Sequence, residues 1–281
     1  MSERGAVSIY CGTTAGVVRV DGTTGAVSRL GPTHSVESLA VSNGHICAAV
    51  TPDYGLPMRT PLGPEHESGI IRSVDGGHSW VAANEGLASR QVTALANSAD
   101  GTTFYAGTDP AAVHVSDNAG GPWVEPGTLR NIPGYDSWTY PLPPHTPHVM
   151  WFAAHPQDRS RLVAGIEVGG LVHTADGGRS WSLVGEGINP DIHGLAIAPS
   201  RPDVVWAATP AGIYHSEDDG THFRECNTGL PRRYARPIAV DCADDRVAYT
   251  VVTHTARGFF GIPAAETGGA VCRTTDGGQS W

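Results

Sequence analysis

Short segments in which apolar and polar positions alternate recur along the chain. Gly170-Leu-Val-His-Thr174 and Gly212-Ile-Tyr-His-Ser216 are two, and the apolar run Val204-Val-Trp-Ala-Ala208 stands just before the second. Runs of this length bounded by turn residues predict β-strands, several to each repeating unit. An earlier strand of each unit aligns as Val36-Glu-Ser-Leu39, Val92-Thr-Ala-Leu95, Val149-Met-Trp-Phe152, Ile192-His-Gly-Leu195 and Ala235-Arg-Pro-Ile238. The last residue of each quartet is expected in the core. The second varies freely, as Glu37, Thr93, Met150, His193 and Arg236.

Between the strands one motif repeats, Ser/Thr-x-Asp-x-Gly-x-x-Trp. It occurs as Ser73-Val-Asp75-Gly-Gly77-His-Ser-Trp80, Thr174-Ala-Asp176-Gly-Gly178-Arg-Ser-Trp181 and Thr274-Thr-Asp276-Gly-Gly278-Gln-Ser-Trp281. Looser copies are Ser116-Asp-Asn118-Ala-Gly120-Gly-Pro-Trp123 and Ser216-Glu-Asp218-Asp-Gly220-Thr-His-Phe223, with a degenerate one at Val20-Asp21-Gly22. A short Asp side chain can accept hydrogen bonds from turn amides, glycine can take a positive φ, and the aromatic ring can anchor the turn between sheets.

These motifs resemble the BNR or Asp-box repeat family of sialidase-type β-propellers. The resemblance implies an all-β fold of four-stranded antiparallel blades, with each box between a third and a fourth strand. Blades are expected at about 5–31, 34–84, 91–126, 148–185, 191–228 and 234–281, in one propeller domain spanning 1–281. Six blades are then represented, the last incomplete, and a seven-bladed intact molecule truncated at its C-terminus is expected. The boxes themselves are structural in that family and say nothing about catalysis.

Composition narrows the function. With 36 Gly, 21 Pro and 16% charged residues, the chain is globular and rich in turns. A net charge of -10 repels phosphate backbones, so nucleic acid is not expected as a partner. No Lys occurs, which excludes a Walker-type phosphate loop and a Schiff-base mechanism and leaves guanidinium groups to bind anions. The start, MSERGAVSIY, lacks an apolar signal region, and no run approaches the roughly 20 apolar residues of a membrane span. A cytoplasmic location without membrane association is therefore expected. The five cysteines form no CxxC pair and read as reduced, packing thiols.

The long insertions, 51–69, 125–148 and 253–269, are all expected on one face, opposite the boxes. Three kinds of chemistry could occupy that face. A binding module fits the residues best: Glu37, His193, Arg236, Tyr234, Arg233, His148 and His254, rimmed by Trp138, Tyr140, Phe259 and Phe260, would suit a carbohydrate, an acidic small molecule or a peptide or protein partner. A glycoside hydrolase of sialidase-like type would draw on paired carboxylates, with Glu37, Glu167 and Asp191 as catalytic candidates and Asp109 at an equivalent strand end. The arginine triad and the N-terminal Arg-Ile-Pro motif of true sialidases are missing; Tyr234-Ala-Arg236-Pro237 is a faint echo, and Arg232, Arg233, Arg236 and Arg257 do not come from three blades. A metal site would rest on His148 and His193. No cofactor is expected.

Overall fold

The computed structural model describes residues 7–31, 34–51, 68–254 and 268–281. It is all-β and divides into two compact units, Met1–Glu125 and Pro126–Trp281. Among the described residues no helix is long and apolar enough to cross a membrane.

The first unit holds three antiparallel sheets. The first comprises β1 (Ser8–Thr13), β2 (Gly16–Asp21) and β3 (Val27–Leu30). The second comprises β4 (Ser35–Ser42), β5 (His45–Thr51), β6 (Gly69–Ser73) and β7 (Val81–Ala82), and the third β8 (Val92–Asn97), β9 (Phe104–Thr108) and β10 (Val113–Ser116). The second unit holds three more. They are β11 (Val149–Ala154) to β14 (Ser182–Val184) through β12 (Leu162–Ile166) and β13 (Gly170–Thr174); β15 (Gly194–Ile197) to β18 (Arg224–Glu225) through β16 (Val205–Thr209) and β17 (Gly212–Ser216); and β19 (Tyr234–Val240), β20 (Ala248–Thr253) and β21 (Ala270–Thr274). Each sheet is a meander, its strands paired in chain order. Three have four strands and three have three, and in the third sheet a single bridge, Val115 to Val124, stands where a fourth strand would run.

Central strands are buried on both faces. In β5, Cys47 and Ala49 face a core with Phe104 and Trp123, while Ala48 and Val50 face one with Val17 and Val36. In β16, Trp206 and Ala208 enter one core and Val205 and Ala207 another. Successive side chains of a strand point to opposite faces, so one pentapeptide supplies two interfaces. Cys47 and Cys226 serve as packing residues as expected, whereas Cys11 in β1 and Cys242 after β19 are exposed free thiols among the described residues.

The recurrent motif forms a turn closed chiefly by its own side chains, with one amide reaching the neighbouring turn, as Gly177 N reaches Ser160 O at 2.9 Å. The Thr174 hydroxyl donates to Asp176 Oδ1 (2.8 Å) and accepts from Gly178 N (2.9 Å), while Asp176 takes the amide and hydroxyl of Ser180 at 2.9 and 2.6 Å. Ser73 with Asp75, Thr274 with Asp276 and Ser216 with Asp218 repeat the pattern. Gly178 closes the turn at a φ of 87°, and Trp181 Nε1 donates back to its carbonyl at 3.1 Å. These turns join third strands to fourth in the second, fourth and fifth sheets. The degenerate copy differs: Asp21 caps the amides of Thr23 and Thr24 between β2 and β3.

A second regularity escaped the sequence reading. β6 and β17 each open with a glycine at positive φ, Gly69 at 125° and Gly212 at 126°. The next amide, of Ile70 or Ile213, donates to the side-chain oxygen of Asn84 or Asn227 at 2.7 or 2.8 Å. A Cβ on either glycine would collide with that asparagine.

Thr174→Val strips the buried Gly178 amide of its acceptor and is expected to cost about 1 to 3 kcal/mol. By calorimetry this reads as a Tm lowered by roughly 2 to 4 °C for each kcal/mol. The turn carboxyls are held low, Asp176 at about 2, chiefly by the Ser180 hydroxyl and then its amide. A depressed folded-state value means that stability present above the unfolded carboxylate pKa, about 4, is lost as the pH falls toward the folded one. The Tm gap between wild type and Asp176→Asn should therefore be full at pH 7 and close between about pH 4 and 2; a gap independent of pH would contradict this.

Candidate functional site

Four of the five aligned first strands carry a register shift at the same place: between Val36 and Ser38, Val92 and Ala94, Val149 and Trp151, and Ala235 and Ile238. The residue that steps out of register is the variable second one, Glu37, Thr93 or Met150, and in β19 it is Arg236 together with Pro237. A bulge leaves that residue unpaired and re-aims its side chain. In the fifth sheet pairing begins one residue later, and His193 sits just ahead of β15 with its amide on Ala208 O at 2.8 Å.

The second unit gathers polar groups at this end of its sheets. Glu167 follows β12, its amide donating to the His148 carbonyl at 3.1 Å, and Glu167 Oε2 lies 2.9 Å from His148 Nε2. Both side chains are buried, and the ring of Tyr140 stands edge-on to His148 with centroids 5.2 Å apart. Asp191 is positioned by Asn189 Oδ1, which accepts its amide at 3.0 Å, and its own Oδ1 is 3.1 Å from Nε2 of the buried His193. Tyr234 opens β19 and tilts against the His193 ring, centroids 4.9 Å apart. Donor atoms of Glu167, Asp191 and His193 all fall within 4.8 Å of one another.

Charge compensation decides the protonation of this cluster. Burial is the largest single influence on Glu167 and pushes it up; the His148 hydrogen bond, the charge on His148 and then Arg236 and His193 together outweigh it. The carboxyl is held below its ordinary range and is ionised at neutral pH. Tyr234 is pushed up by burial, with Arg236 opposing through its charge and a hydrogen bond and the Asp191 and Glu167 carboxylates reinforcing. Its phenol therefore keeps its proton and remains a hydrogen-bond donor.

Of the residues expected from the sequence, the structure brings together Glu167, Asp191, His193, His148, Tyr234 and Arg236. Glu37 belongs to the first unit, where burial raises its carboxyl and the Thr51 hydroxyl donates to it at 3.3 Å. Asp109, following β9, is a buried residue of that unit too. Trp138 and Tyr140 are not an exposed rim: both are buried, at 8% and 1% exposure, because the segment after Pro126 folds back on itself through short 3-10 turns at Leu129–Asn131 and Tyr135–Ser137. Arg233 and His254 are exposed. Arg257, Phe259 and Phe260 lie outside the described residues, as do most of the insertions at 51–69 and 253–269. Sequence reasoning underrated the Glu167 pairing with His148; the signal was Glu167 in register with Asp109 after the second strand.

No family model and no curated protein matches the chain. Solved structures do, and they are β-propeller proteins. The GH74 enzyme of Niastella koreensis superposes with a TM-score of 0.59 at 17% identity, over 98% of this chain and 37% of that one. The GH74 xyloglucanase of Xanthomonas campestris gives 0.54 at 15%, over 97% and 53%, and YCF48 bound to D1 peptide gives 0.61 at 14%, over 98% and 76%. The chain thus spans about half or less of the GH74 structures. At such identities the likeness shows the fold alone, an all-β, propeller-like array of antiparallel sheets.

His148→Ala should let burial dominate and raise the Glu167 pKa, which a carbon-13 titration of side-chain carboxyls reads directly; an unmoved midpoint would show that His148 does not hold the charge.

Proposed function

We propose that this chain is a carbohydrate-binding β-propeller of Asp-box type, each of its six sheets a blade, with the saccharide held at the polar cluster of the second unit. The convergence of Glu167, Asp191 and His193 within 4.8 Å carries this reading. Two carboxylates accept hydrogen bonds from sugar hydroxyls, while the Arg236 guanidinium and the Tyr234 phenol donate to ring and hydroxyl oxygens. An acidic small molecule fits less well, since Arg236 would face it beside two carboxylates. A peptide is the second reading, supported only by the D1 peptide named with YCF48.

The same carboxylates raise the hydrolytic alternative, and a xyloglucanase stands among the similar folds. Glycoside hydrolysis needs one carboxyl as proton donor with a raised pKa and one as base or nucleophile. Glu167 is held ionised, which suits an acceptor or a base and not the acid. Binding is therefore the reading that the charges support.

Calorimetric titration with neutral oligosaccharides, xyloglucan fragments included, tests it. Arg236→Ala should weaken binding by about 1 to 3 kcal/mol, the range for a charge-assisted hydrogen bond. Asp218→Asn, at a strand-joining turn, should lower the melting temperature and leave affinity unchanged. Equal losses in both variants would sink the assignment, and hydrolysis of the titrant would favour the enzymatic reading.

A further inference from the structure

The same cluster also has the donor set of a cation site. Glu167 and Asp191 supply carboxylate oxygens and His193 an imidazole nitrogen, all within 4.8 Å of one another. Ligand atoms bonded tetrahedrally to one cation at about 2.0 to 2.2 Å lie roughly 3.3 to 3.6 Å apart, so side-chain rotations that bring the donors together by about an ångström would close the shell. The His193 side chain is 2% exposed, and its Nδ1 has no hydrogen-bond partner among the described residues although buried imidazole nitrogens are normally satisfied. Its Nε2 is directed at Asp191 Oδ1, into the cluster.

From this geometry we infer that the second unit binds a first-row divalent cation, zinc or manganese, through Glu167, Asp191 and His193. Mixed carboxylate and imidazole donors suit these ions, and three protein ligands leave at least one position for water or a ligand oxygen. His148 takes the outer role, fixing the Glu167 carboxylate from behind at 2.9 Å as partners of metal ligands commonly do. Two carboxylates balance the charge of the ion. Arg236 opposes it, since its charge already acts on Glu167, although a hydrogen bond to Tyr234 restrains the guanidinium. The inference rests on the donor set and stands whether or not a saccharide binds.

The experiment is calorimetric titration of the EDTA-stripped full chain with zinc chloride and, separately, manganese chloride. One equivalent per chain is expected, weakened at least tenfold by Asp191→Asn and by His193→Gln, each checked for native far- and near-ultraviolet circular dichroism. His222→Ala, which removes an exposed histidine paired with Asp218 and Glu186, controls for adventitious surface binding and should change nothing. Arg236→Ala should bind the cation at least as tightly as wild type while weakening a saccharide, which separates this inference from the proposed function. Absence of a stoichiometric site, indifference to both Asp191→Asn and His193→Gln, or an equal loss in His222→Ala would overturn it.

Discussion

Burial of the central strands on both faces is the constraint from which the structure follows. β5, β9, β12 and β16 lie inside their sheets and are buried almost throughout, and β5 and β16 each fill two cores with alternate side chains. Alanine, glycine and valine dominate them, with one large ring where a gap demands it, such as Trp206 or Phe104. The closeness is visible at Gly165, where a Cβ would come within 2.5 Å of Ile192. With no exposed face, these strands cannot carry polar function. The chemistry is displaced to strand ends.

There the two ends of each sheet divide the work. One end carries the aspartate turns, whose side-chain hydrogen bonds close within five residues while a turn amide such as that of Gly177 reaches back to the Ser160 carbonyl at the neighbouring turn. The other carries the bulged entry to the first strand and the exit from the second. A bulge releases one residue from ladder and core alike, and the side chain at that position is free to vary because packing does not choose it. Met150 and Arg236 differ for that reason in two sheets of the second unit, whereas the buried His193 lies just ahead of β15 and is held against Tyr234.

The polar cluster also shows how buried charge is tolerated. Burial alone would raise the Glu167 carboxyl; His148 and Arg236 reverse that direction, and burial, reinforced by the carboxylates, raises Tyr234 in turn. A buried charge is retained only with partners in place. Glu167, His148, Asp191, His193, Tyr234 and Arg236 form one electrostatic unit contributed by three sheets.

Local order was legible in the residues. The Ser/Thr-x-Asp-x-Gly motif names its own hydrogen bonds, because donor and acceptor lie two to four positions apart, and period-two alternation marks strands without reference to their partners. The aligned quartets showed a freely varying second position, and it is there that four of the five strands leave the ladder. What lay beyond the sequence depends on distances between segments remote along the chain. Glu37, Asp109, Glu167 and Asp191 were equivalent as carboxylates near strand ends; the pairing of β11 with β12 put Glu167 beside His148, and only the packing of the sheets brought Glu167 to Asp191 and His193. Trp138 and Tyr140 read as a rim, and the fold of their own segment buried them. Sequence alone determined the repeating turn and strand, since short-range hydrogen bonds and alternation are written in neighbouring residues; tertiary structure decided which charges meet, since that depends on how twisted sheets stack.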